Sequence, residues 1–142
     1  FFNNKGGKNY FYIHSPVEKN IGKIASIVKI SNNEDSELGK KIAMHIAASS
    51  PLAVDKTGIR KEIIDKELEI IKAELMNSGK KGDIAEKISK GKINKFISDN
   101  TLLNQVWIMD PKKKVSDILK ENKKTSDLKI VDFLRFKVGE GV

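Results

Sequence analysis

The stretch that most constrains this sequence is residues 35–51, DSELGKKIAMHIAASSP, because its residue types mark both ends of a helix. Asp35 or Ser36 can cap the helix, since a short side-chain oxygen accepts hydrogen bonds from N–H groups that the first turn leaves unpaired. Pro51 ends it, since a proline displaces the preceding residue from the α region. The sequence therefore predicts a helix over residues 36–50.

The predicted helix has a core-facing side and a second side of different character. The core-facing side carries a row of large residues and, beside it, a row of small ones: Leu38, Ile42 and Ile46, then Gly39, Ala43 and Ala47. The small row would let another element pack against the helix backbone. Met44 points away from this side, and His45 lies at its border. Two interpretations stay open, a second contact surface or a helix buried nearly all round with a hydrogen-bonded histidine.

Composition limits the chemistry of this 142-residue chain. It has no cysteine, and its two histidines, His14 and His45, are too few for a usual zinc or iron cluster, so we predict no metal and no cofactor. It has no phosphate-binding loop and no recognisable nucleophile–base arrangement, and we predict that it is not an enzyme. No apolar run approaches the ~20 residues of a membrane span. The start at Phe1, without an initiator Met, predicts a processed precursor or a piece of a longer protein.

The net charge of +8 comes almost wholly from lysine. Such a balance favours an acidic partner or a nucleic acid. The lysines are scattered among acidic residues, and no aromatic residue is interleaved with a basic cluster to stack a base. This pattern argues against nucleic-acid binding as the main function.

Three stretches rich in β-branched and aromatic residues, 9–15, 21–30 and 128–138, predict strands, the first two joined as a hairpin. Alternation in the last stretch places four apolar residues on one face: Ile130, Leu134, Phe136 and Val138. A short helix is predicted to start with Pro111 at its first position. Its inward residues would be Val115, Ile118 and Leu119.

Residues 60–77 predict a helix with a narrow apolar seam of the coiled-coil type, formed by Ile64, Leu68, Ile71 and Leu75. A loop over residues 78–82 separates it from a second helix that Asp83 can cap. This second helix carries an apolar stripe that would face the seam, formed by Ile84, Ile88, Phe96 and Ile97. The seam is too thin to be stable alone, so this hairpin must pack on the body, on a copy of itself or on another chain. The sum is an α+β fold, a small antiparallel sheet covered by helices, with an inserted antiparallel helical hairpin.

Residues 101–110, TLLNQVWIMD, are apolar but aperiodic and contain the only tryptophan, Trp107. They form either a buried cluster or an exposed contact loop.

Four segments in this order and spacing carry a family resemblance: KKIAMHIAASSPLAV, SGKKGDIAEKISKGKINKF, LLNQVWIMDPKKKVSDILKE and VDFLRFKVGEGV. From about Tyr10 to Val142 they resemble the C-terminal part of the elongation factor Ts family, the guanine-nucleotide exchange factors of the translational GTPase elongation factor Tu. The resemblance implies a core subdomain over residues 9–55 and 100–142 and an inserted dimerisation hairpin over residues 56–99. The seam Ile64, Leu68, Ile71 and Leu75 would then serve self-association.

The resemblance also implies a set of partner-binding residues. His45 matches the family's partner-contacting histidine in the A-M-H-I-A-A motif, and Met44 precedes it on the outer side of the helix. Ile108 and Met109 match an apolar pair that faces elongation factor Tu. Residues 105–107 are Gln-Val-Trp where the family usually has Gln-Pro-Phe.

The family's Thr-Asp-Phe exchange motif belongs to an N-terminal half that this sequence does not contain. The chain is therefore expected to be the docking and dimerisation part of an exchange factor, acting in a bacterial cytoplasm or, in a eukaryote, in a mitochondrion or plastid. The alternatives are a stand-alone dimerisation module and a basic RNA-binding domain.

Overall fold

A computed structural model describes residues 7–14, 23–122 and 128–138, and this part of the chain holds five strands and four α-helices. The strands are β1 (Lys8–His14), β2 (Lys23–Ser31), β3 (Val106–Trp107), β4 (Asp110–Lys114) and β5 (Lys129–Val138). The helices are α1 (Ser36–Ser49), α2 (Lys61–Asn77), α3 (Gly82–Asp99) and α4 (Val115–Glu121). Short 3-10 turns lie at Lys56–Gly58 and Leu102–Asn104.

The main sheet has three antiparallel strands in the order β1-β2-β5, and β3 and β4 form a separate two-stranded ribbon. The predicted strands and the α+β class are confirmed. The connection between β1 and β2 lies outside the described residues.

Helix α1 is built as the sequence predicts. The Asp35 carboxylate accepts hydrogen bonds from the backbone N–H groups of Glu37 at 3.0 Å and Leu38 at 3.4 Å, so Asp35 is the N-cap. The helix ends at Ser49, and Ser50 adopts the left-handed conformation at φ 49° just before Pro51.

The small row of α1 lies on the inner face of the sheet, and each of its residues meets one strand: Gly39 with Tyr10, Ala43 with Ser26, and Ala47 with Arg135. A methyl group at Gly39 would lie 2.3 Å from the Tyr10 ring. The Ser26 hydroxyl donates to the Ala43 carbonyl, and Arg135 Nε donates to the Ala47 carbonyl at 3.0 Å. The expected close approach to the helix backbone is thus confirmed.

The large row of α1 forms the centre of the core, where Leu38, Ile42 and Ile46 are buried. They share one cluster with residues of β2, of the segment after α3, of α4 and of β5. These other members include Val28, Ile30, Leu102, Trp107, Val115, Ile118, Leu119 and Ile130. We call β1, β2, α1, β3, β4, α4 and β5, together with residues 100–105, the body.

The predicted single apolar face of β5 is wrong, and a β-bulge is the reason. Lys29 pairs with Asp132 but the next residue of β2, Ile30, pairs with Ile130, so Val131 is an extra residue. One extra residue exchanges the two faces for the rest of the strand. Ile130 is buried, whereas Leu134 and Phe136 lie exposed on the outer face of the sheet.

The outer face of the sheet also carries exposed apolar residues of β1. Phe11 lies in the same cross-strand row as Leu134, and Ile13 in the same row as Phe136. All four side chains are exposed. This face therefore presents a continuous apolar surface across three strands.

The predicted start of the last helix at Pro111 is also wrong. Residues Asp110–Lys114 form β4, and α4 begins at Val115. The Asp117 carboxylate accepts a hydrogen bond from the Lys114 N–H at 3.0 Å and so marks the helix start. Val115, Ile118 and Leu119 face the core as predicted.

Helices α2 and α3, which we call the helix pair, have a separate small core. Ile71, Leu75 and Ile93 are buried there, with Ile64, Leu68, Ile88, Phe96 and Ile97 packed around them. Ile84 was expected in the stripe that faces α2 but is exposed, whereas Ile93, which was not expected there, is buried. At the junction with the body, the Ala53 carbonyl accepts a hydrogen bond from the Leu102 N–H at 2.8 Å, which ties the chain entering the pair to the chain leaving it.

Candidate functional site

The candidate site lies where α1 meets the segment 105–109. His45 is fully buried at its centre, although it sits on the border of the predicted core face. A buried imidazole requires hydrogen-bond partners, and both ring nitrogens have one here. Nε2 lies 3.0 Å from the Gln105 side-chain oxygen, and Nδ1 lies 3.4 Å from the backbone N–H of Ile108.

These partners assign the protonation of His45. Because the Ile108 N–H donates to Nδ1, that nitrogen carries no proton, and Nε2 donates its proton to Gln105. Burial lowers the pKa of His45 and outweighs the hydrogen bond to Gln105, which raises it. The ring is therefore neutral at pH 7 and holds the backbone of residue 108 in place.

Gln105 connects the ends of three helices around this ring. Its side-chain amide donates to the Asp99 carbonyl at 2.9 Å and to the Ser49 carbonyl at 3.4 Å, at the C-terminal ends of α3 and α1. Its backbone carbonyl accepts from the Val115 N–H at 3.1 Å, at the start of α4. A glutamine at this position thus satisfies helix-end carbonyls and orients His45 at the same time.

Trp107 packs on the face of the His45 ring. Its ring stacks on His45 with centroids 5.3 Å apart and an interplanar angle of 14°. Trp107 is buried. In the β3–β4 ribbon its backbone pairs with that of Asp110, so Ile108 and Met109 are the two residues of the connecting turn. The two interpretations of this stretch each hold for a part of it, since Trp107 is buried while Ile108 and Met109 are exposed.

An apolar pocket of ≈ 390 Å³ opens beside the turn. Met44 and Ile108 both line it, so the structure brings together two predicted site residues that are far apart in the sequence. Met109 is exposed on the same turn but is not part of the lining. The remaining lining residues are Tyr12, Ile24, Ala47, Ala48 and Arg135.

Sequence reasoning did not select Gln105, Tyr12 or Arg135. Tyr12 and Arg135 face α1 as neighbours of Ser26 across the sheet, and that placement depends on the bulge at Val131. Gln105 lies in an aperiodic stretch that gives no directional signal. The small row of α1 was the one available indication that side chains of the sheet approach this helix.

The predicted self-association residues lie elsewhere, in the helix pair. Ile71 and Leu75 are buried against α3, and Ile64 and Leu68 pack on the same small core. The seam therefore has a partner within the chain, and its use by a second copy stays a prediction.

Within the described residues, no group of His, Cys, Asp and Glu side chains is arranged to hold a metal ion. No helix in the same ranges combines the length and apolar character needed to cross a membrane.

Comparison with known proteins gives one consistent result. A family model described as Elongation factor TS matches residues 2–140. A protein of Erythrobacter litoralis named elongation factor Ts is 36% identical over 137 residues, which cover 92% of this chain and 44% of that protein. The elongation factor Ts of Methylococcus capsulatus is 45% identical over 108 residues, which cover 76% of this chain and 36% of that protein. A protein of Nitratiruptor with the same name is 42% identical over 129 residues, which cover 85% of this chain and 42% of that protein. The chain thus spans less than half the length of these relatives.

Proposed function

The chain belongs to the elongation factor Ts family, and we propose from this membership that it is the C-terminal docking part of a guanine-nucleotide exchange factor for elongation factor Tu. The docking surface we propose consists of Met44, Ala48, Ile108 and Met109, and we call it the α1–turn surface. The observation that carries the proposal is the apolar pocket shared by Met44 and Ile108. Concave apolar sites beside exposed apolar side chains are typical of protein contacts.

The α1–turn surface suits a partner that supplies an apolar side chain. Ile108 and Met109 are 39% and 48% exposed, so a partner would remove part of each from water. Fully burying such a side chain contributes about 1.5–3 kcal/mol, and the exposed fraction here corresponds to ~1 kcal/mol each. A few such anchors account for most of the affinity of a typical interface.

His45 has a different role in this proposal from the direct contact that the family resemblance implies. Its ring is buried beneath the surface, and it holds the backbone of Ile108 through Nδ1. We therefore propose that His45 positions the turn, while Met44, Ile108 and Met109 make the contacts. A direct contact of His45 with the GTPase stays a prediction.

The charge of the chain supports fast association with an acidic surface. A net charge of +8 steers an oppositely charged partner and raises the association rate at low salt. Added salt should lower this rate, because exposed charges more than about 8–10 Å apart are screened at physiological ionic strength.

We also propose that residues 9–55 and 100–142 form the docking unit and that residues 56–99 are an insertion. Two separate hydrophobic clusters support this division, since the cluster of the helix pair contains residues of α2 and α3 alone within the described chain. The hydrogen bonds that join residues 52–54 to residues 100–103 close the insertion at its base.

The experiment that tests the function follows release of a fluorescent GDP analogue from elongation factor Tu, with binding of the chain measured in parallel. We expect binding without faster release, because the family's exchange motif belongs to the other half. Faster release would contradict the proposed division between docking and exchange, and no binding would contradict the docking role.

A matched pair of variants tests the surface itself. Ile108→Asp places a charge in the pocket and should weaken binding by roughly 2 kcal/mol. Val106→Asp makes the same change at an exposed residue of β3 that does not line the pocket, and it should leave the affinity unchanged. Equal losses in the two variants would place the contact elsewhere.

A further inference from the structure

The helix pair has a second concave surface, far in sequence from the α1–turn surface and near the loop that joins α2 to α3. It is a groove of ≈ 760 Å³ between the two helices. Its floor is apolar and includes Leu68, Leu75, Ala85 and Ile93. Leu75 and Ile93 also belong to the small core of the pair, so the floor is held by packing rather than by mobile side chains.

The rim of this groove is strongly basic. Lys72, Lys80, Lys81 and Lys90 line it, together with a single carboxylate, Glu86. The ion pairs found among the described residues join Lys92 to Glu74, Lys95 to Asp99 and Lys113 to Glu121, so none of them involves the four rim lysines. An apolar floor flanked by four lysines and one carboxylate selects for a ligand of the opposite pattern.

We propose that this groove binds an amphipathic helix of another protein, with its apolar face on the floor and with Asp or Glu residues flanking that face. A groove between two helices is a common site for such a helix, which anchors itself through apolar residues at i, i+3 or i+4, and i+7. On α2 the lining extends from Leu68 to Met76, which at 1.5 Å per residue is ~12 Å, or about two turns of the bound helix. This inference goes beyond docking on elongation factor Tu, because it concerns a separate surface and a separate partner.

Charge and composition favour this occupant over two others. A second copy packed groove to groove would bring the four lysines of one chain against those of the other, and like charges across an interface oppose association. RNA would be held by phosphate contacts and by base stacking, yet the described residues that line the groove include no aromatic side chain. The apolar floor would then have no function.

The test uses the full chain and a panel of fluorescein-labelled helical peptides of about 14 residues, or four turns. Each peptide has leucines at i, i+3 or i+4, and i+7, flanked in one series by glutamate and in the other by lysine. We expect saturable anisotropy changes for the glutamate series, at least about tenfold tighter than for the lysine series and weakened by salt. NMR shift changes should centre on Leu68, Ala85 and Ile93.

Paired charge reversals test the rim. Lys80→Glu with Lys81→Glu should weaken binding of the glutamate series at least about tenfold, since it inverts one end of the rim. Lys61→Glu with Lys66→Glu changes the same charge at exposed positions of α2 outside the groove, and it should change affinity less than about twofold. Circular dichroism checks that both variants retain their helices.

Four outcomes would overturn the proposal. They are the absence of saturable binding across the panel, equal binding of both peptide series, displacement of the peptide by an oligouridine RNA, and a dimer in sedimentation that the peptide dissociates. The last two would assign the groove to RNA or to a second copy. Each leaves docking on elongation factor Tu untouched, because that activity is measured with different variants.

Discussion

The body and the helix pair differ in how many apolar side chains each buries. Among the described residues, twelve buried apolar side chains form the core of the body, against three between α2 and α3. The body also buries polar groups that are hydrogen-bonded, such as His45 and Gln105, whereas the pair presents charged side chains on most of its surface. Two helices with so small a core gain little free energy from burial.

The tasks that we propose for the two regions fit this difference. A site that depends on the position of one backbone N–H, as the turn at Ile108 does, needs a rigid support. The helix pair has no such requirement, and we expect it to open locally while the body stays folded.

The largest effect is expected from truncating one buried isoleucine in each region. Ile46→Ala should lower the free energy of unfolding of the body by about 3–4 kcal/mol, because Ile46 is fully buried. Ile71→Ala should cost about 2 kcal/mol and act on the helix pair alone. Urea unfolding separates the two, since the fluorescence of Trp107 reports on the body and circular dichroism reports mainly on helices.

If the two regions unfold separately, Ile71→Ala shifts the dichroism transition and leaves the Trp107 transition in place. A common shift of both signals would show instead that the chain unfolds as one cooperative unit.

A smaller effect, opposite in sign between the regions, is expected from replacing glycine by alanine. Gly39→Ala should destabilise the body by about 1–3 kcal/mol, because its methyl group would lie 2.3 Å from the Tyr10 ring. Gly91→Ala should stabilise α3 by about 0.5–1 kcal/mol, since nothing lies within 4 Å of the added atom and alanine favours the helix. Thermal unfolding measures both, and stabilisation by Gly39→Ala would refute the close packing of α1 on β1.

The smallest effect is a pH dependence confined to the body. Burial lowers the pKa of His45 below its ordinary value near 6.5, so between the two pKa values the unfolded chain binds a proton that the folded chain does not. The free energy of unfolding should therefore fall as the pH drops below about 6.5. Protonation of Nδ1 would also remove the hydrogen bond from Ile108.

His45→Gln is the control for this prediction, since His14 is present in both proteins and cancels in the difference. The variant should lose the pH dependence between about pH 7 and 5 that the parent shows by Trp107 fluorescence. Parallel curves for the two proteins would exclude titration of His45 as the cause.

The parts of the fold that local pattern determines were predictable from the sequence. The N-cap at Asp35, the stop at Pro51 and the small row Gly39, Ala43 and Ala47 are read from neighbouring residues, and the structure confirms them. The strands followed from composition in the same way. The seam of α2 packs against residues of α3, and its use in self-association stays a prediction.

The rest depended on contacts between distant residues. The bulge at Val131 exchanges the faces of β5, and no residue near it signals an extra position. His45 is buried because Gln105 and Trp107 come from an aperiodic stretch whose path is set by α3, α4 and the hydrogen bonds at its ends. The pairing of Ile93 rather than Ile84 with α2 was equally out of reach, since it depends on how the two helices are rotated against each other.

The outer face of the three-stranded sheet has a consequence for how the chain behaves in concentrated solution. Phe11, Ile13, Leu134 and Phe136 form a water-exposed apolar surface, and the net charge of +8 keeps copies of the chain apart at low ionic strength. Added sulfate weakens that repulsion and strengthens the tendency of apolar surface to leave water. Sulfate should therefore precipitate this chain readily and retain it on a phenyl matrix, and substituting serine at Phe11 and Phe136 should raise its solubility.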